Sequence, residues 1–140
     1  MYILDTNTIK AILRKPTPYL QRRITSTRYE LLYISVVVAH EMIRGVLEEL
    51  SKNERAPLVT RHYDFLRNVI GDVSRFQILP YDDEAERIFQ AFPPAIKRIG
   101  TKDCRIAASA LSRDFTVITR NIDDFNQIGV RCENWIDEPT

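Results

Sequence analysis

An α/β fold is what this sequence predicts: a three-layer α/β/α sandwich around a mainly parallel sheet of four or five strands, built as one domain over residues 1–140. Three observations carry the expectation. Short apolar runs alternate with longer segments of helical periodicity along the whole chain. At 140 residues, with 44% hydrophobic content, the chain can bury one substantial core. No internal repeat, low-complexity tract or linker rich in Gly and Ser divides it.

The elements follow in order. Tyr2, Ile3 and Leu4 make a short buried strand. The helix over Thr6–Arg14 must end before Pro16, whose ring disfavours helical backbone in the residue ahead of it. Thr17-Pro18 opens another helix, with the threonine as cap and the proline at the first helical position, where an amide hydrogen is not needed. Residues 31–34 form a second strand, and Ser35 caps the long helix after it. That helix carries Ala39, Met42, Ile43, Val46, Leu47 and Leu50 on one face at amphipathic spacing. A loop over residues 53–57 leads into a helix through Tyr63, Leu66 and Ile70, which Gly71-Asp72 is expected to stop. Residues 76–79 make a third strand, and a helix from about Asp82 ends before Pro93-Pro94. Thr101 is the expected cap of a helix with Ile106, Ala107, Ala110 and Leu111 on its apolar side. Residues 115–119 form a fourth strand and residues 128–132 a candidate fifth.

Ligands of such sheets gather at the carboxyl ends of the strands. Asp5 and the Thr119-Arg120-Asn121 segment lie immediately after predicted strands, so that edge is the first place to look for a site.

Composition excludes several classes. No run approaches the roughly 18 apolar residues of a membrane span. The opening Met1-Tyr2-Ile3-Leu4-Asp5 lacks the basic-then-apolar pattern of a secretory signal. Cys104 and Cys132 are too few for a disulfide framework and form no Cys-x-x-Cys pair, so both are expected as free thiols in a reducing cytoplasm. Four glycines cannot supply Gly-x-Gly-x-x-Gly after any strand, which argues against a dinucleotide enzyme. The net charge of +1 conceals an asymmetry. With four of the 19 acidic residues set aside for a metal, 20 basic residues face 15 acidic ones, and 15 of the 20 are Arg. Arg forks onto phosphate oxygens, so this balance is compatible with a polyanionic substrate and equally with ordinary surface residues.

Individual acids read differently. Asp5 closes the first strand, where it can cap the following helix or serve a site. Asp103 falls on the same helical face as Ile106, Ala107 and Ala110. A carboxylate turned toward a core is costly unless compensated, and a bound cation compensates it directly. The alternative for Asp103 is a first-turn acid favoured by the helix dipole. Periodicity alone places Glu41 opposite the apolar stripe of its helix, beside Arg44 and Glu48, as a solvated residue. Asp123 and Asp124, clustered with Asn121, suit a turn. His40 and His62 have no metal-ligand partner at helical spacing and read as structural or surface residues.

Four blocks stand in sequence: Ile3-Leu4-Asp5-Thr6-Asn7; Ser35 through Glu41 to Gly45; Ile99-Gly100-Thr101-Lys102-Asp103 with Ile106-Ala107-Ala108-Ser109-Ala110-Leu111; and Val117-Ile118-Thr119-Arg120-Asn121 with Asp124-Phe125. Together, over nearly the full length, they resemble the PIN-domain family and, within it, the VapC-type ribonuclease toxins of bacterial toxin–antitoxin pairs. The resemblance implies a metal-dependent endoribonuclease that cleaves single-stranded or loop RNA such as a tRNA loop. It implies Mg²⁺ or Mn²⁺ held by Asp5, Glu41, Asp103 and Asp124, with Thr6, Asn7, Thr119 and Asn121 in supporting hydrogen bonds. Many relatives carry Asp where this chain has Asn121, so the fourth acidic position is shared between Asn121 and Asp124, and one or two metals both stay open. The resemblance also reverses the periodicity reading of Glu41, turning that side of its helix toward the site. It further implies a homodimer, and a small antitoxin that wraps the toxin and inserts a basic or bulky side chain into the acidic pocket. The apolar stripes bearing Met42, Ile43, Val46, Leu47 and Leu50, and then Tyr63, Phe65, Leu66 and Val69, are either spent on the sheet or free for such association.

Oxygen-only donors suit Mg²⁺ and Mn²⁺, while the scarcity of Cys and His argues against zinc. Two other functions stay open. One is a catalytically silent RNA-binding or scaffold domain of the same fold, against which the acidity of Asp5, Glu41 and Asp103 speaks. The other is a haloacid-dehalogenase-type phosphatase, whose Asp-x-Asp-x-Thr motif is approximated by Asp5-Thr6-Asn7-Thr8 with Asn7 in place of the second Asp.

Overall fold

Five strands run parallel through the core: β1 (Tyr2–Leu4), β2 (Leu32–Ser35), β3 (Gln77–Leu79), β4 (Thr116–Ile118) and β5 (Cys132–Glu133), in the spatial order β3-β2-β1-β4-β5. The computed structural model describes residues 1–55 and 57–140, so Ala56, within the loop expected over residues 53–57, lies outside the described residues. Ile3, Leu4, Ile34, Val117 and Ile118 are all fully buried. Strands with no polar alternation need cover on both faces, which is the condition of a parallel sheet between helices. The flanking helices are α1 (Thr6–Arg14), α2 (Pro18–Ser26), α3 (Val36–Lys52), α4 (Val59–Ser74), α5 (Asp83–Ala91), α6 (Pro94–Lys97), α7 (Thr101–Arg113) and α8 (Ile122–Ile128). Helix α3 packs on α4, and α5 on α7.

Topology places the site. From β1 the chain passes to β2 and β3 on one side, then returns beyond β1 to lay down β4 and β5 on the other. The order therefore reverses at β1 and β4, which is where a parallel sheet opens a crevice at its carboxyl edge. Leu4 registers against Ile118, so the next residues, Asp5 and Thr119, become neighbours.

Several local expectations hold to the residue. Thr17 Oγ1 accepts from the Leu20 amide at 3.1 Å and Ser35 Oγ from the Val37 amide at 3.1 Å, capping α2 and α3. The helix expected from about Asp82 is α5, and Asp82 itself proves to be its cap, Oδ1 accepting from the Ala85 amide at 3.0 Å.

Others are corrected. Helix α4 does not stop at Gly71-Asp72 but continues to Ser74. An interior glycine costs about 1 kcal/mol, and burial of Val69 and Val73 on either side of it offsets that cost. Thr101 does not cap α7; it is the first helical residue, after Gly100, whose φ of +147° a side chain would rarely adopt. The segment after β4 is not a turn but α8, ended by Gly129 at φ +97°, and the fifth strand is Cys132–Glu133 rather than 128–132. The stripe of α3 is only partly spent: Ala39 and Val46 are buried, while Leu47 is 47% exposed. Cys104 is buried and Cys132 half-buried, both as free thiols. Among the described residues no helix is long and apolar enough to cross a membrane.

Candidate active site

The first residue beyond β1 is Asp5, and its backbone extends the ladder by one step, the amide donating to the Ile118 carbonyl at 3.1 Å. Its side chain is only 5% exposed. Oδ1 accepts from the Thr8 amide at 2.8 Å, capping α1, and Oδ2 accepts from Thr119 Oγ1 at 2.5 Å. Cap and site residue are therefore not alternatives for Asp5. The cap and the threonine fix its orientation and leave further lone pairs of each oxygen available, since an ionised carboxylate offers about four acceptor positions.

Thr119 is fully buried and links two halves of the site. Its hydroxyl donates to Asp5 and accepts from the Asn121 amide at 2.9 Å. The side-chain amide of Asn121 donates in turn to Asp124 Oδ2 at 2.7 Å. Asn121 and Asp124 are thus hydrogen-bonded as one unit, with Asp124 in the first turn of α8.

Asp103 stands half-buried in the first turn of α7. Burial is the main force pushing its carboxyl above the usual range; Lys102 opposes this, while Asp5 and Asp124 add to it. Three acids from three separate segments therefore share one field. Glu41 approaches from α3, half-buried, and lines a cleft with Thr6 and Lys102. It also faces its own helix: the Arg44 guanidinium is held charged first by Glu48, at 2.8 Å, and further by Glu41. Asn7 is exposed. Thr6 is only 9% exposed, and its Oγ1 is buried with no hydrogen-bond partner.

None of the ten ion pairs among the described residues includes Asp5, Glu41, Asp103 or Asp124. Among those residues, also, no three acidic, His or Cys side chains converge on a single point as a preformed metal cage. Unpaired carboxylates repel one another. An oxygen-only set in which no carboxylate is in an ion pair, beside an unsatisfied hydroxyl one residue from Asp5, has the donor chemistry of a hard, hydrated divalent cation.

Sequence reasoning missed three residues here. Thr8 is fully buried and donates from Oγ1 to the Ile118 carbonyl at 2.9 Å, tying α1 to β4; only the sheet order reveals that hydrogen bond. Lys10 and Arg14 line the cleft of about 430 Å³ between α1, α3 and α4. Their spacing of four and eight residues from Thr6 was a legible signal, since residues four apart share a helix face.

Known proteins resemble this chain over nearly its whole length. The chain is 27% identical over 139 residues to the tRNA(fMet)-specific endonuclease VapC of Salmonella typhimurium, covering 96% of this chain and 97% of that one. It is 31% identical over 130 residues to ribonuclease VapC1 of Rickettsia felis, covering 90% and 89%. Among solved structures, the DNA-bound VapBC of Salmonella typhimurium superposes with a TM-score of 0.70 at 31% identity, over 96% of this chain and 97% of that chain. The model of the PIN domain matches residues 2–130, nearly the whole of the fold and every acid just described, and the chain belongs to the PIN domain family.

Proposed function

We propose that this protein is a metal-dependent endoribonuclease that cleaves single-stranded or loop RNA and serves as the toxin of a toxin–antitoxin pair. The observation that carries the reading is the three acids Asp5, Asp103 and Asp124, which share one field with none of them in an ion pair, and Glu41 lining the adjoining cleft, also in no ion pair. The names of the VapC relatives support ribonuclease activity, and one of them names a tRNA as the target. The likeness to a VapBC assembly supports an antitoxin as partner.

Asp5, Asp103 and Asp124 would hold Mg²⁺ or Mn²⁺, with Glu41 reaching in from the cleft side. Such a cation, when bound, neutralises phosphate charge and lowers the pKa of water. The protein's own groups set the geometry. Thr119 and the Thr8 amide hold the Asp5 carboxylate in one orientation. Asn121 holds Asp124. Glu41 would hold the cation through water or orient the attacking water. Burial of the Asp5 side chain limits the screening of its field by solvent.

Purified protein is expected to cut total tRNA and a loop-containing oligonucleotide with Mg²⁺ or Mn²⁺ and to stop in EDTA. Equal cutting in EDTA would sink the mechanism. The exposed Leu47, Tyr63 and Ile70 on α3 and α4 support a homodimer. Light scattering at micromolar concentration checks it, and a mass of one chain would reject it.

A further inference from the structure

We propose that the cleft between α1, α3 and α4 holds the single strand of RNA that leads into the acidic site, with its phosphates on Lys10 and Arg14 and an unpaired base on Phe65. This rests on the ribonuclease reading and adds to it the path of the substrate.

Thr6, Lys10 and Arg14 line the cleft from one face of α1. At 1.5 Å of rise per residue, each step along that row is about 6 Å. The row begins one residue from Asp5 and leads away from the acids, so it continues the site rather than forming a separate one. Lys10 and Arg14 are exposed, and neither joins any ion pair among the described residues. Arg14 also suits the C-terminal end of the α1 dipole. Lys10, in mid-helix, gains nothing there, so the dipole does not account for the pair.

Two acids share the lining. Glu41 belongs to the acidic site, and Asp72 lies 4.0 Å from Arg75, which offsets its charge. Lys102, beside Asp103, adds a third cation at the inner end. The outer cleft is therefore net positive and complements a polyanion. On the α4 wall Phe65 is 56% exposed, an aromatic face left open to solvent. Unpaired cations facing an open aromatic ring form the recognition surface of single-stranded nucleic acid, whose backbone and base faces are both accessible. A duplex hides its base faces and would gain nothing from Phe65.

The test uses cleavage kinetics of an unstructured RNA oligonucleotide with Mn²⁺, between about 50 and 200 mM salt. Three variants are compared with wild type: the double variant Lys10→Ala/Arg14→Ala, Phe65→Ala, and the charge-matched control Arg22→Ala/Arg28→Ala, whose residues form exposed pairs with Glu138 and Glu30. Melting curves confirm that each folds. The cleft double variant is expected to raise KM about tenfold with kcat nearly unchanged. Its dependence of log KM on log salt should flatten by about 1.4, or ~0.7 for each single-strand phosphate that is no longer neutralised. Phe65→Ala should raise KM several-fold with the salt slope intact, because stacking releases no counterions. The control should move neither.

An active wild type with a double variant that behaves like the control overturns this proposal alone and leaves the cleft to a protein partner. A Phe65→Ala protein with wild-type KM overturns the base platform. A wild type that cuts no RNA overturns the ribonuclease reading and this proposal with it.

Discussion

Asp82 and Asp103 stand at the N-terminal ends of two helices packed on one another, α5 and α7, yet their carboxylates sit in opposite fields. Asp82 accepts from the Ala85 amide and lies 3.0 Å from the Arg113 guanidinium. The amide first, and Arg113 with it, hold its carboxyl below the usual range. Asp103 has the same helical advantage, since the dipole favours an acid in the first turn. Its carboxyl is nevertheless pushed up, by burial above all and by Asp5 and Asp124 beyond the relief Lys102 offers. The helix end is common to both, so burial first, and the neighbouring charges after it, make the difference. One acid has been given a guanidinium by the fold; the other stands half-buried beside two further acids, with Lys102 as partial relief.

The largest effect that would sharpen this contrast is on activity. Asp103→Asn should lower kcat/KM for RNA by at least ~100-fold, about 3 kcal/mol of transition-state stabilisation. The metal-free variant should melt at or slightly above wild type. The sign follows from the raised pKa: the folded state holds this proton more tightly than the unfolded chain does, so ionisation costs stability at neutral pH. That cost fades as the pH falls below the ordinary carboxylate range, where wild type and variant should converge. A metal-free Asp103→Asn protein that melts far lower would make Asp103 a structural residue and break the comparison.

Next in size is the response to metal. At about 100 times its Kd, Mg²⁺ should stabilise wild type by about 2.7 kcal/mol through binding linkage. Thermal melts should show Asp82→Asn gaining as much and Asp103→Asn much less. Equal gains for all three would remove Asp103 from the metal site.

A smaller change is expected for Asp82→Asn itself, with RNA cleavage retained. Asn still caps a helix well, so what is lost is the charge facing Arg113, and the variant should melt slightly lower at neutral pH. Because the folded pKa is depressed, this contribution is present above the unfolded value and is lost as the pH falls through the folded one. Urea titrations at descending pH should therefore bring Asp82→Asn and wild type together from the opposite side to Asp103→Asn.

Thr6→Val should have the smallest effect. It keeps the shape and deletes a buried hydroxyl that has no partner, so metal-free stability should hold or rise by up to ~1 kcal/mol. Cleavage should fall only a few-fold, as for a group that supports the site. A clear loss of metal-free stability in urea would show that the hydroxyl is bonded within the fold.

Much of the framework was legible in the chain because its signals are local. The strand at Tyr2–Leu4, the helix over Thr6–Arg14, the caps at Thr17 and Ser35, and the helix start near Asp82 each depend on residues within about one helical turn. Asp103 stood out by the same logic, as an acid on an apolar helix face. Gly71 misled because glycine's local cost was outweighed by the burial of Val69 and Val73, which is a property of the packed molecule. Helix α8 was hidden by residues that also suit a turn, and its end at Gly129 is tied to where β5 must begin.

By itself the sequence determined an alternating α/β chain, the end of a strand at Asp5, and an acid on the inner face of α7. The tertiary structure decided that Asp5 meets Thr119 across 114 residues, that Asn121 and Asp124 act as a pair, and that Glu41 lines the cleft although its own helix marked it as solvated. Periodicity within one helix reports only which side is apolar. What stands opposite that side depends on the order β3-β2-β1-β4-β5, set by burying every strand on both faces at once.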